Sequence, residues 1–186
     1  GRVMAGALCG SKALIDDVFG PVMRSAGMTL SPFNAWVVLK GLETLSIRMH
    51  AQSQQALALA QWLEAQPQVA RVYYPGLKSH AQHALAMKQQ SGLGGAVLSF
   101  EVKADSPETG RANAFKLMNA MRTVSLSTNL GDVKTLVAHP ASTSHGRLSE
   151  AQRQVAGIQQ GLIRVAVGLE HLDDLKADFT RGFQAL

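Results

Sequence analysis

The chain reads as an α/β protein: a sandwich of four or five short strands covered by helices and entered through one long helix. Three observations predict this. From Phe33 through Trp36, Val37, Leu39, Leu42, Leu45 and Ile47, and on through Ala56, Leu59, Ala60 and Leu63, apolar residues recur at helical spacing over more than an ordinary helix length. After Gln66 and Pro67 the pattern changes to strands alternating with helices. Near the C-terminus Ile163, Val165 and Val167 alternate with Leu162, Arg164 and Ala166, the period of a strand that buries one face and turns Arg164 out of the other.

In order, residues 3–8 read as a strand, and Gly10-Ser11 as the cap of a short helix carrying Ala13, Leu14, Ile15 and Val18. Gly20-Pro21 reads as the end of that helix and residues 21–30 as irregular. Ser31 and Pro32 open the long helix, serine as N-cap and proline where a missing N–H costs nothing; Gly41 marks a candidate kink. The helix runs to about residue 65, so the domain boundary is placed inside it. Residues 69–73 form a strand closed by Pro75-Gly76, 79–90 a helix, and 96–102 a strong strand entered through a Gly92–Gly95 loop with positive φ angles. Ser106-Pro107 caps a helix through Met118. Two β-prone runs, 123–126 and 135–137, form a hairpin-like stretch around a polar loop of Ser127, Thr128, Asn129, Gly131 and Asp132. A helix over 149–159, the arginine strand and a helix over 172–183 complete the sandwich.

Composition narrows the function. With 186 residues the chain can bury a real core, and 46% hydrophobic against 17% charged residues excludes disorder. The net charge of +5 leaves room for an anion or a nucleic acid. Lys12, Lys40, Arg71, Lys88, Arg122 and Arg181 are scattered without a basic stripe, so they read as solvated surface and exclude nucleic acid. Cys9 is the single cysteine. That rules out a disulfide framework, points to a reducing compartment, for which a cytoplasm and an organelle serve alike and the cytoplasm is the expectation, and reads as a buried structural thiol. No apolar run reaches membrane length and no signal peptide is visible. The chain opens on G-R-V-M-A-G-A-L-C-G-S, without an initiator methionine and directly in a small apolar run, so it is expected to be part of something longer.

Arg164 is the sharpest candidate. A guanidinium flanked by apolar residues on a short strand needs an anion, because it cannot shed its charge. It serves either as a bidentate clamp on a ligand carboxylate or as an ion-pair partner of an acid such as Glu170 or Asp132. His80 with His83, and His139 with His145, lack a carboxylate at ligand spacing, so they read as surface and capping histidines and no metal is expected. Ser142, Thr143 and Ser144 offer hydroxyls to an anion or simply form a solvated turn. Gly92-Leu93-Gly94-Gly95 precedes a strand instead of opening a helix, unlike a phosphate loop. None of the eight lysines has the apolar setting that Schiff-base chemistry requires; Lys12 comes closest in position and still reads as surface.

Taken together, G-R-V-M-A-G-A-L-C-G-S, L-S-P-F-N-A-W-V-V-L-K-G-L-E-T-L-S-I-R-M, V-Y-Y-P-G-L-K-S-H-A-Q-H, G-G-A-V-L-S-F-E-V, N-L-G-D-V-K-T-L-V-A-H-P-A-S-T-S-H and L-I-R-V-A-V-G-L-E resemble the C-terminal half of the Cys/Met-metabolism family of pyridoxal-phosphate (PLP) enzymes. The resemblance implies an aspartate-aminotransferase-like fold, in which residues 1–30 finish the large cofactor domain, 31–66 form the connecting helix and 67–186 the small C-terminal α/β domain. It implies that Arg164 holds the substrate α-carboxylate, and that Thr128 faces the substrate side chain. Asn129 stands where the lyases of the family usually carry a serine, which favours the sulfhydrylase branch. That branch makes homocysteine from a succinyl ester of homoserine and sulfide in methionine biosynthesis; a cystathionine γ-synthase or a methionine or cystathionine γ-lyase is the alternative. The Schiff-base lysine of the family lies in an S-x-T-K segment before the equivalent of Gly1, with the phosphate-binding tyrosine and arginine further upstream. No catalytic residue is therefore expected in this chain, PLP is expected to be held mainly by the missing half, and these residues are expected to be inactive alone. Relatives imply a homotetramer with shared sites. The rival from another class is a non-catalytic α/β module for anion binding or dimerisation.

Overall fold

The computed structural model describes residues 2–186, and the chain divides into two units, Gly1–Ser46 and Ile47–Leu186. In the first, residues 2–11 have no regular structure, so the strand expected over 3–8 is absent. A strand exists only when a neighbour takes up its backbone groups, and the described residues of this unit contain none. Ser11 does cap a helical stretch, its Oγ accepting the Leu14 N–H at 3.2 Å. That stretch does not stop at Gly20-Pro21. A π-helical turn, Leu14–Phe19, passes the Gly20 N–H to the Ile15 carbonyl just before Pro21, which has no N–H to place. Helix α1, Gly20–Ala26, then continues through residues expected to be irregular and stops at Gly27.

Helix α2, Pro32–Glu43, starts as read, with Ser31 Oγ accepting the Asn34 N–H. The long helix breaks at Thr44, not at Gly41. The β-branched Thr44 leaves helical geometry (φ −111°, ψ 5°), and helix α3, Leu45–Glu64, begins immediately after it. No residue from 2 to 51 is buried, and Cys9 is exposed, contrary to the expected buried thiol: its unit has no interior to bury it in.

The second unit has an interior. Strands β1 (Val69–Tyr73), β2 (Val97–Val102), β3 (Ser125–Leu126), β4 (Leu136–Ala138) and β5 (Leu162–Ala166) form one sheet in the order β1-β2-β5-β4-β3. The inward-facing set, Leu98, Phe100, Ile163, Val165 and Val137, packs against Ala56, Leu59 and Leu63 of α3, Leu117 of helix α5 (Pro107–Ala120) and Leu175, Phe179 and Phe183 of helix α7 (Leu172–Gln184). Phe100 meets Phe179 and Phe183 edge-on at 5.9 and 6.2 Å between ring centroids. Gly92 and Gly95 adopt the expected positive φ.

Two helices are shorter than their periodicity. Residues 77–82 form turns, and the helix expected from 79 is confined to His83–Gln89 (α4). Helix α6, Glu150–Val155, begins with a full capping box between Ser149 and Gln152 but ends well before residue 159. Gly157, at φ +72°, takes the left-handed conformation that closes a helix, and Ile158 donates back to the Arg153 carbonyl.

The stretch read as a hairpin is not one. β3 and β4 pair in parallel, Ser125 with Leu136 and Leu126 with Val137. A parallel pair requires the chain to return to its starting end, and loop 127–135 provides the return. The chain enters β3 past Asp178, a buried carboxylate of α7 that accepts the N–H groups of Arg122, Thr123 and Val124, each at 2.9 Å.

Candidate carboxylate-binding site

Arg164 lies in β5, where Ser99 of β2 and Ala138 of β4 are its cross-strand partners on the face away from the core. It is half-buried, and that burial pulls its guanidinium below the ordinary arginine value without discharging it. Its Nη2 donates to the backbone carbonyls of Thr128 at 2.7 Å and Asn129 at 3.3 Å. No carboxylate among the described residues pairs with it. Glu170, one of the acids weighed for that role, is taken: its two oxygens accept the Thr135 N–H at 2.6 Å and the Thr135 Oγ1–H at 2.7 Å. The structure thus brings Arg164, Thr128 and Asn129 together through main-chain carbonyls, while the Thr128 and Asn129 side chains stay exposed.

Loop 127–135 is fixed from below. Gln52 of α3, 1% exposed, donates through Nε2 to the carbonyls of Asp132 (2.9 Å) and Val167 (2.8 Å). Gln55, one turn on, reaches the carbonyl of Glu170 at 2.6 Å. Thr135 Oγ1 accepts the Gly168 N–H at 2.9 Å, and Leu169 N–H reaches the Val133 carbonyl at 2.8 Å. Gly168 has to be glycine here: a Cβ on it would stand 2.4 Å from the Val133 carbonyl oxygen and 2.5 Å from the Lys134 carbonyl carbon. Sequence reading missed Gln52 and Gln55, since nothing local marks a helical glutamine as buried, and saw in Thr135 only the start of a β-prone run.

His139 is a further correction. Read as a surface or capping residue, it is 2% exposed, with its ring 5.0 Å from that of Phe115. The Gln160 carbonyl, 2.8 Å away, can only accept, so Nε2 carries the proton and Nδ1 accepts the Ser142 hydroxyl at 2.8 Å. Thr143 Oγ1 donates to the His139 carbonyl. The hydroxyls of Ser142 and Thr143 are thereby spent on His139. Burial lowers the imidazole pKa from 6.5, with Arg111 and Arg153 adding in the same direction and the Gln160 bond opposing. Among the described residues no three His, Cys, Asp or Glu converge on a metal position.

A cavity of about 400 Å³ is lined by Tyr73, Glu101, Asp105 and Gln160 among others and includes none of Arg164, Thr128 and Asn129. A smaller one, about 250 Å³ with a mainly apolar wall, has Thr128 on its rim with Leu126, Phe115 and His139. Seven of the eight lysines are exposed and Lys176 is half-buried; Lys12 pairs with Asp16 and Lys40 with Glu43. An aldehyde cofactor needs an enclosed amine, and none of these eight lysines is buried.

The family model described as Cys/Met metabolism PLP-dependent enzyme matches residues 1–184. The chain belongs to this family. Within it, the chain is 60% identical over its full length to O-succinylhomoserine sulfhydrylase of Pseudomonas aeruginosa, spanning 44% of that protein, and 44% identical over 97% of its length to the Mycobacterium tuberculosis protein of that name. L-methionine γ-lyase of Porphyromonas gingivalis is 40% identical. Among solved structures, a Campylobacter jejuni protein assigned as O-acetylhomoserine (thiol)-lyase, with N'-pyridoxyl-lysine-5'-monophosphate, superposes with a TM-score of 0.84 at 37% identity, over 95% of this chain and 41% of that one. Cystathionine γ-lyase of Lactobacillus plantarum also gives 0.84, at 30% identity over 94% of this chain and 44% of that one. The chain spans less than half the length of these relatives. The Cys/Met-metabolism fold expected from the sequence is therefore the observed one, and PLP is the cofactor of the family. No helix of the described residues is long and apolar enough to cross a membrane.

Proposed function

We propose that these residues are the substrate-carboxylate half of an O-succinylhomoserine sulfhydrylase, which converts O-succinylhomoserine and hydrogen sulfide into homocysteine and succinate. The observation that carries this reading is Arg164: a half-buried, permanently charged guanidinium that among the described residues meets only two carbonyls, in a chain 60% identical to such an enzyme. The short bond to Thr128 holds the guanidinium plane. The longer one to Asn129 is the contact that an incoming carboxylate replaces, so that two parallel N–H···O bonds form. A substrate gripped at its carboxylate has its reacting carbons fixed in direction, and orientation of this kind is what the protein contributes in a cofactor enzyme. PLP supplies electron-sink chemistry when bound, and its lysine lies outside these residues in this reading. In this reading Asn129 lies beside the bound carboxylate and Thr128 faces the substrate side chain, both of them exposed next to the guanidinium.

The test is made on the full-length protein. It forms homocysteine from the succinyl ester and sulfide, faster than from the acetyl ester, and Arg164→Ala lowers kcat/KM by the equivalent of roughly 2–4 kcal/mol. An unchanged kcat/KM removes Arg164 from the site. Release of an α-keto acid and ammonia from methionine or cystathionine, without homocysteine synthesis, assigns the enzyme to the lyases instead.

A further inference from the structure

Arg164 is held by a loop, and what holds the loop is a set of buried side chains with no place in the reading above. Two of its carbonyls, Thr128 and Asn129, contact the guanidinium. Its last residue, Thr135, is fully buried and uses every polar group it has: N–H and Oγ1–H go to Glu170, Oγ1 accepts from Gly168, and its carbonyl accepts the Ser125 N–H. Three positions before it, the Asp132 carbonyl receives Gln52, whose amide also holds Val167 at the exit of β5. Gln52 and Thr135 thus tie the loop and the strand end to a common frame, and Arg164 stands between them, in β5 by its backbone and against the loop by its side chain. Gly168 lies so close to the loop backbone that a Cβ on it would stand 2.4 Å from the Val133 carbonyl oxygen.

We propose that Thr135 and Gln52 are positioning residues for Arg164: by anchoring loop 127–135 to Glu170, Gly168 and Val167, they set the height of the Thr128 and Asn129 carbonyls and so the plane in which the guanidinium meets a substrate carboxylate. Neither touches substrate. Without the Thr135 hydroxyl, Glu170 loses a donor and the Gly168 N–H an acceptor, and the loop lifts away from the exit of β5. The guanidinium then loses the fixed direction that two-point recognition needs, a fault of about an ångström that costs on the order of ten- to a hundredfold in rate.

This rests on Arg164 as the carboxylate clamp, and the experiment separates the two. In the full-length enzyme, Thr135→Val keeps the shape of the side chain and removes the hydroxyl, while Thr135→Ser keeps the hydroxyl. The expected result is a fall of about tenfold or more in kcat/KM for the amino-acid substrate with Thr135→Val, an unchanged KM for sulfide, and near-normal values with Thr135→Ser. Gln52→Met, at the other end of the anchor, gives the same pattern and serves where Thr135→Val does not fold. The deciding comparison is the double variant with Arg164→Ala, in which Thr135→Val produces no further loss, because there is no guanidinium left to position. A Thr135→Val loss that is equal with and without Arg164, or one shared by the sulfide KM, overturns the proposal and leaves a merely structural threonine. Full activity of Thr135→Val overturns it too while leaving the clamp intact, whereas full activity of Arg164→Ala removes the clamp and this proposal with it.

Discussion

Residues 2–46 and residues 47–186 obey the same local rules and arrive at different states. In both, serine caps a helix that proline opens: Ser31 with Pro32, Ser106 with Pro107, each hydroxyl accepting the N–H three residues on at 3.2 Å. In both, apolar residues recur at helical spacing. Yet Phe33, Trp36 and Leu39 remain 67%, 56% and 62% exposed, while Leu59, Leu63 and Leu117 are sealed completely. Capping and periodicity decide that a helix forms and which face is apolar; burial of that face needs a partner surface, which the described residues of the second unit supply and those of the first do not.

The strongest way to break this contrast is to truncate a large apolar side chain on each side of it. In the 186-residue chain Phe100→Ala lowers the stability of the main urea transition by about 3–5 kcal/mol, and Trp36→Ala, with no interior to lose, shifts it by less than about 0.5 kcal/mol. Equal losses would show that the first unit has a core after all. The caps sharpen the contrast at smaller scale: Ser106→Ala costs about 1 kcal/mol in that same transition, whereas Ser31→Ala lowers helical circular dichroism without moving the midpoint.

The smallest effect is a pH dependence confined to the second unit. His139 is buried in its neutral form, so its folded pKa lies below the 6.5 of the unfolded chain. Between those two values the unfolded state binds more protons. Stability therefore holds above pH 6.5 and is lost as pH falls below it, down to the folded pKa. Urea midpoints measured from pH 7.5 to 5 fall in the parent, and the slope is reduced in His139→Gln; equal slopes would place the titration elsewhere.

How much of this was legible beforehand depends on the reach of each interaction. The Ser31 and Ser106 caps, the alternation around Arg164 and the short strands 69–73 and 97–102 were all readable, because each is decided within a few residues. The strand expected over residues 3–8 failed for the complementary reason: alternation proposes a strand, but only a pairing partner makes one. The parallel return of loop 127–135, taken for a hairpin, is another long-range decision, since its turn residues suit either path.

The sequence by itself determined the family, the order of elements in the sandwich and the arginine that faces away from its core, all of them consequences of local pattern and residue chemistry. Only the tertiary structure decided that Arg164 would be met by carbonyls instead of Glu170 or Asp132, that His139 would be sealed in its neutral form, and that Gln52 would brace the strand end 115 residues away. The physical reason is common to all three. A polar side chain carries no mark of its partner until folding removes water, and it must then satisfy its hydrogen bonds with whatever groups the fold has brought within about 3 Å.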